Sequence, residues 1–114
     1  MRYIENPFDC AVTRAMSIFG GKWKPIILNC IGESTLRFGK LNHLMPAISN
    51  KVLANELKEL ETLGLIERKA TQEDGKIVAY SLSDSGKSLI PVLLQIADWG
   101  NSNEAKQIIA TMKK

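Results

Sequence analysis

A chain of 114 residues with 45% apolar and 24% charged side chains has the material for one packed core and is too apolar to be a disordered segment. Its formal charge of +3 leans toward polyanionic partners. No stretch reaches the roughly 18 apolar residues of a membrane span, Met1 to Pro7 holds no signal-like apolar run, and two cysteines without metal-ligand spacing are too few for a disulfide scaffold or a zinc site. The expectation is a folded cytoplasmic protein with no membrane association, no structural metal and no cofactor.

Asp9 is the expected cap of a first helix in which Val12, Ala15, Met16 and Phe19 follow the i, i+3, i+4, i+7 rule and Gly20-Gly21 ends the run. A second helix is expected from about Trp23 to Ile31, with Pro25 in its first turn and Trp23, Ile26, Ile27 and Cys30 as one stripe. After Gly32, an edge strand near Thr35 to Leu36 leads to a third helix with Phe38, Leu41 and Met45 on one side, which Pro46 stops. The turn Pro46-Ala47-Ile48 is brief. Ser49 then caps a fourth helix ending at Gly64, with Leu53, Leu57 and Leu60 as its stripe and Val52 and Leu63 at the edges. Two helices joined by so short a turn make a helix-turn-helix unit.

Beyond Gly64 the period becomes that of strands. Leu65 to Thr71, the turn residues Gln72 to Lys76, and the alternating Val78, Tyr80 and Leu82 predict a β-hairpin, or wing. Ser83 is the expected cap of a fifth helix bearing Leu89, Val92, Leu93, Ile96 and Trp99, which Pro91 should kink. Ser102 to Lys114, with Ile108, Ile109 and Met112, predicts a final amphipathic helix. No repeat, low-complexity tract or linker marks a boundary, so residues 1–114 are expected to form a single domain. The fold class is α+β: a mainly helical winged helix-turn-helix with a β-hairpin wing and extra N- and C-terminal helices, spanning about 9–19 and 84–112.

On a helical projection Lys51, Asn55, Lys58 and Thr62 fall opposite the leucine stripe of the fourth helix. Such a ridge suits the major groove of double-stranded DNA. Ser49, Asn50, Lys51, Ala54 and Asn55, near the N-terminus, suit base edges: Asn pairs with adenine N6 and N7, Lys donates to guanine, and Ala54 fits a thymine methyl. Lys58 suits a phosphate. Any surface helix displays residues of this kind, but the short-turn pair followed by a basic-tipped hairpin is a combination that generic bundles rarely present. In the wing, Lys69, Gln72 and Lys76 are candidates for the flanking backbone or minor groove, with Glu73 and Asp74 opposing them. Arg37 and Lys40, at the start of the third helix, either anchor a phosphate or stay as solvated or internally paired charges.

From Cys10 to Trp99 the chain resembles the HxlR-type regulators, winged-helix relatives of the MarR proteins. The likeness rests on Gly20-Gly21-Lys22-Trp23, Arg37-Phe38 with Leu41, and Ile48-Ser49 with Lys51 and Leu53; it continues through Leu57, Leu60, Gly64-Leu65 and Arg68 to Tyr80-Ser81-Leu82, Gly86 and Trp99. The resemblance implies a transcription regulator, more often a repressor. It implies a homodimer joined through its N- and C-terminal helices, with two recognition helices in successive major grooves of a pseudo-palindromic operator. Some relatives sense electrophiles, quinones or oxidants through the cysteine that Cys10 matches. Ala11 stands where proline usually follows that cysteine, Ala79 where an acidic residue usually precedes Tyr80, and the wing lacks its usual prolines.

Cys30 shares the stripe of Trp23, Ile26 and Ile27 and is expected to be a small, inert hydrophobe. Cys10 projects away from Val12, Met16 and Phe19, in a first helical turn that favours thiolate, with Arg14 one turn along and Asp9 opposing. Two readings of it stay open, a sensing thiol for an oxidant or small-molecule effector and a residue of the dimer interface. Catalysis is not expected: the single histidine, His43, has no motif around it, and Gly20-Gly21-Lys22 fails as a phosphate loop because Met16 and Trp23 occupy required positions. The alternatives to DNA reading are a winged-helix protein-interaction module and a MarR-like sensor of a small aromatic ligand.

Overall fold

Leu53, Leu57 and Leu60 are almost wholly shielded from water, and the rest of the fold is arranged around them. They lie on α4 (Asn50–Thr62) of a computed structural model that describes residues 4–70 and 77–113. Ahead of it come a 3-10 turn at Pro7–Asp9, α1 (Ala11–Phe19), α2 (Lys24–Ile31), the short strand β1 (Leu36–Arg37) and α3 (Phe38–Leu44). After it come β2 (Ile66–Ala70), β3 (Val78–Leu82), α5 (Asp84–Lys87), α6 (Ile90–Gly100) and α7 (Asn103–Met112). Among the described residues no helix is long and apolar enough to cross a membrane.

The leucines of α4 meet Ile27, Leu28 and Ile31 of α2, Leu41 of α3, and Ile66 and Leu82 of the sheet in one buried cluster. Each fully buried leucine contributes about 1.5–3 kcal/mol relative to an exposed one, so this cluster fixes the helices against the strands. β2 and β3 are antiparallel, with Ile66 opposite Leu82 and Ala70 opposite Val78, and β1 joins the far edge of β3 through Leu36 and Tyr80. Ile66 and Leu82, paired across the two strands, are buried on the sheet's core face, and the two strands of the expected hairpin and the edge strand are present.

α4 ends as its sequence predicts. Gly64 takes φ 77°, while the Gly64 and Leu65 amides donate to Glu61 O and Leu60 O at 2.9 and 3.0 Å. This pair of bonds satisfies carbonyls that the helix end would leave orphaned, and only glycine adopts the left-handed conformation without strain. The chain then returns to the same place: the Ser83 hydroxyl donates to Gly64 O at 2.6 Å and the Ser83 amide to Leu65 O at 3.0 Å. Gly86 packs so closely here that a Cβ would overlap the Leu65 carbonyl oxygen.

Three expectations change. Asp9 does not cap α1. It closes the 3-10 turn that Asn6 caps, with Asn6 Oδ1 accepting from the Phe8 amide at 2.9 Å, and Cys10 stands at the N-cap of α1 instead. The buried face of α2 runs through Ile27, Leu28 and Ile31, while Ile26 is exposed, because α2 packs against α3, α6 and β3 at once and the core wraps round to Leu28. Finally, the expected fifth helix is two. Ser83 caps only α5, its Oγ accepting from the Gly86 amide at 3.1 Å, and Pro91 lies in the first turn of a new helix, where it has no hydrogen bond to break, so it starts α6 rather than kinking it.

Candidate nucleic-acid interface

The turn between α3 and α4 is held from beneath. Met45 and Ile48 are buried, the Ile48 amide donates to Met45 O at 3.2 Å, and Pro46 prevents α3 from continuing. Ser49 then takes an extended backbone, and its Oγ accepts from the Val52 amide at 3.1 Å, which caps α4. With three leucines facing inward, Asn50, Lys51, Ala54, Asn55, Lys58 and Thr62 all face solvent. Among the described residues Lys51, Asn55 and Lys58 make no side-chain hydrogen bond or ion pair, so their donors are open. Thr62 is different: its hydroxyl donates to Lys58 O at 2.9 Å and is satisfied within the helix.

Arg37, exposed, is the last residue of β1 and the N-cap of α3, and the exposed Lys40 follows in the first turn of that helix. Both lie on the helix that precedes the turn. On the wing, Lys69 is exposed on β2 with its Nζ 3.8 Å from Glu67 Oε2, a loose surface pair that leaves the ammonium largely solvated. Gln72 and Lys76 lie outside the described residues. The structure adds Arg68, which pairs in register with Tyr80 and lines a cleft of about 270 Å³ together with Ala54, Lys58 and Glu61 of α4. Its place beside the ridge comes from the packing of β2 on α4, which spacing in the sequence does not reveal.

A second feature absent from the sequence reading is an ion cluster on the other flank of α4. Lys24 Nζ, in the first turn of α2, lies 2.8 Å from Glu56 Oε2 and 2.5 Å from Glu59 Oε2. The hydrogen bonds that Lys24 donates to the Glu56 carboxylate, first, and to that of Glu59 hold its ammonium above the ordinary lysine range, so it stays charged at any physiological pH.

The two cysteines differ in chemistry. No hydrogen bond of cap geometry joins the Cys10 side chain to α1, but the sulfur lies over the start of the helix. The Thr13 amide, then the Val12 amide and the Thr13 hydroxyl, lower the thiol pKa below the ordinary cysteine range; Arg14 contributes least. The Arg14 guanidinium is turned elsewhere, donating from Nη1 to Phe8 O at 2.7 Å. Cys30 is half-buried against the core, and burial pushes its thiol up, toward the inert form. Both thiols are partly exposed, and the pKa of Cys10 is lowered where that of Cys30 is raised.

Known proteins agree with this geometry. Residues 18–108 match the family model described as HxlR-like helix-turn-helix. The chain is 46% identical over 86 residues to an uncharacterized HTH-type transcriptional regulator, YdzF, of Bacillus subtilis, covering 75% of this chain and 79% of that one. A solved regulator described as MarR-family, from Porphyromonas gingivalis W83, superposes with a TM-score of 0.81 at 38% identity, covering 90% of this chain and 99% of the other. The redox regulator HypR in its oxidized form superposes with a TM-score of 0.76 at 34% identity, covering 82% and 97%. An exposed ridge on a capped second helix, a three-stranded wing sheet and these likenesses lead to one assignment: the chain belongs to the HxlR-like helix-turn-helix family of transcription regulators.

Proposed function

We propose that this protein is a sequence-specific repressor that acts in the cytoplasm as a homodimer on a pseudo-palindromic operator, and that oxidants or electrophiles act on it through Cys10. The observation that carries the DNA-reading part is the α4 ridge, in which Lys51, Asn55 and Lys58 are open to solvent above three buried leucines. In this reading Ser49, Asn50, Lys51, Ala54 and Asn55 meet base edges, while Lys58, Arg37, Lys40 and the wing residues Lys69, Gln72 and Lys76 meet phosphates or the minor groove.

Two observations support the dimer. Val12 and Met16 of α1, Leu94, Ile96 and Trp99 of α6, and Ile108, Ile109 and Met112 of α7 are all exposed, and large apolar side chains gathered on the terminal helices suit an interaction surface. The Cα radius of gyration of 16.4 Å also exceeds the about 13 Å of a compact chain of this length. An extended protomer with apolar terminal helices suits a second copy.

The test is selection from a randomised duplex library, followed by titration of selected and scrambled duplexes. Asn55→Ala and Lys51→Ala are each expected to cost about 1–3 kcal/mol of discrimination between the two. Equal weakening on both duplexes reassigns the residue to phosphate contact. Failure to enrich any sequence sinks the proposal.

For Cys10 the chemistry is a two-electron oxidation. The Cys10 thiolate adds to the diamide N=N bond, and a second thiol, either a small-molecule thiol or the partner subunit's Cys10, displaces the reduced nitrogen. The two sulfurs lose two electrons and form a disulfide, and the diamide becomes a hydrazine with one proton from the second thiol and one from water. Pulse alkylation read by mass spectrometry is expected to label Cys10 ahead of Cys30, with a pH midpoint below that of an ordinary thiol, because reactivity rises as pH passes through the lowered pKa. Cys10→Ser is expected to bind the selected duplex as before but to lose its response to diamide. A retained response removes Cys10 from the mechanism.

A further inference from the structure

Lys24 ties α2 to the flank of the reading helix through two ion pairs. Its side chain is 17% exposed, that of Glu56 22% and that of Glu59 61%, so the cluster runs from a half-covered interior to open solvent. Glu56 and Glu59 are spaced i, i+3 on α4 and flank the ridge. Lys24 and Glu59 share a cleft of about 570 Å³ with Asn55, Lys58 and Thr62 of α4 and with Ser17 of α1. One ammonium serves two carboxylates, so the cluster carries a net charge of about −1 beside a surface that must approach phosphates.

We propose that Lys24 is a positioning residue for DNA reading: it turns the Glu56 and Glu59 carboxylates toward α2 and away from the duplex, keeping the field of the α4 ridge cationic. This rests on the reading that α4 faces DNA. The physical reason is one of charge and range. Without Lys24 the two carboxylates keep a charge of about −2 and are free to swing along the flank of Asn55 and Lys58, within a Debye length of the phosphates. Repulsion of this kind weakens every duplex, selected or scrambled, and fades as salt rises. A loss of helix packing has neither property.

The experiment is titration of the full-length protein with the selected duplex and its scrambled control by fluorescence anisotropy, at low and moderate salt. Lys24→Met is expected to weaken binding of both duplexes by about tenfold at low salt, with the difference shrinking toward moderate salt. The triple variant Lys24→Met/Glu56→Gln/Glu59→Gln is expected to recover wild-type affinity, because the repelling charges are gone. The double variant Glu56→Gln/Glu59→Gln, which keeps the ammonium and does not depend on Lys24→Met folding, is expected to bind about threefold or more tighter than wild type at low salt. Lys87→Met on α5 changes net charge equally and is expected to stay within about twofold of wild type. Failure of the triple variant to recover, unchanged or weaker binding by the double variant, or an equal loss in Lys87→Met overturns the proposal. Lys51→Ala, titrated alongside, separates the two readings. If it leaves both duplexes bound as before, the α4 reading falls and takes this one with it; if it weakens binding while the Lys24 series shows no rescue, only the role of Lys24 falls.

Discussion

Leu57→Ala is expected to lower the free energy of unfolding by about 3 kcal/mol, within the range for a leucine truncated inside a packed core. Leu57 is 1% exposed, lies midway along the buried stripe of α4 and also borders the cleft facing Arg68 and Tyr80. No neighbouring helix is free to collapse into the space, because Leu53 and Leu60 hold α4 on either side of it. The loss is a large share of the stability of a domain this small and corresponds to roughly 10 °C or more in Tm at fixed protein concentration. Thermal unfolding followed by circular dichroism measures it. At a temperature where the variant is still folded, its affinity for the selected duplex is expected to fall as well, since the ridge is only as well placed as the leucines beneath it. A change in Tm of a degree or two shows that α4 is held by something other than this stripe.

Trp99→Asp is expected to have the largest effect on function without touching the ridge. Trp99 is 58% exposed near the end of α6, in line with the exposed Ile96 and Val92 and next to the apolar face of α7. A carboxylate there cannot be buried unpaired between two copies without a penalty of several kcal/mol, so the variant is expected to sediment as a monomer. A protomer that reads one half-site loses the gain from binding two at once, and affinity for the full selected duplex should drop at least about 100-fold, while affinity for an isolated half-site changes little. Analytical ultracentrifugation and the two titrations check both halves. A dimer that survives the substitution places the interface elsewhere.

The reading helix was legible because its local and long-range signals agree. The Ser49 cap, the Leu53, Leu57 and Leu60 spacing and the Gly64 stop all specify one helix in one orientation, and the structure keeps each of them. The readings that failed are those where neighbours decide. Asp9 is drawn into the 3-10 turn that Asn6 caps, which leaves the entry to α1 to Cys10, and a capping residue read by itself does not show which turn it will serve. Ile26 and Leu28 are both apolar, and which faces inward on α2 depends on a helix and a sheet that lie far along the chain. Pro91 reads as a kink only if the helix before it is continuous; the break at Ser88 and Leu89 makes it a start. The Lys24 cluster joins residues 32 and 35 positions apart and has no local signature at all. The periodicity of α1, α6 and α7 marks apolar faces to be covered without saying whether the same chain covers them, and the structure leaves most of those residues at the surface.

The meeting point of Gly86 and Leu65 has a geometric consequence. Two arms leave it, the hairpin in one direction and the C-terminal helices in the other, and there is no room between them even for a methyl group. A joint this tight keeps a fixed angle. For a dimer held together through α6, that angle sets the distance between the two α4 helices, so the spacing of half-sites along the duplex is determined in part by a residue that never comes near a nucleotide.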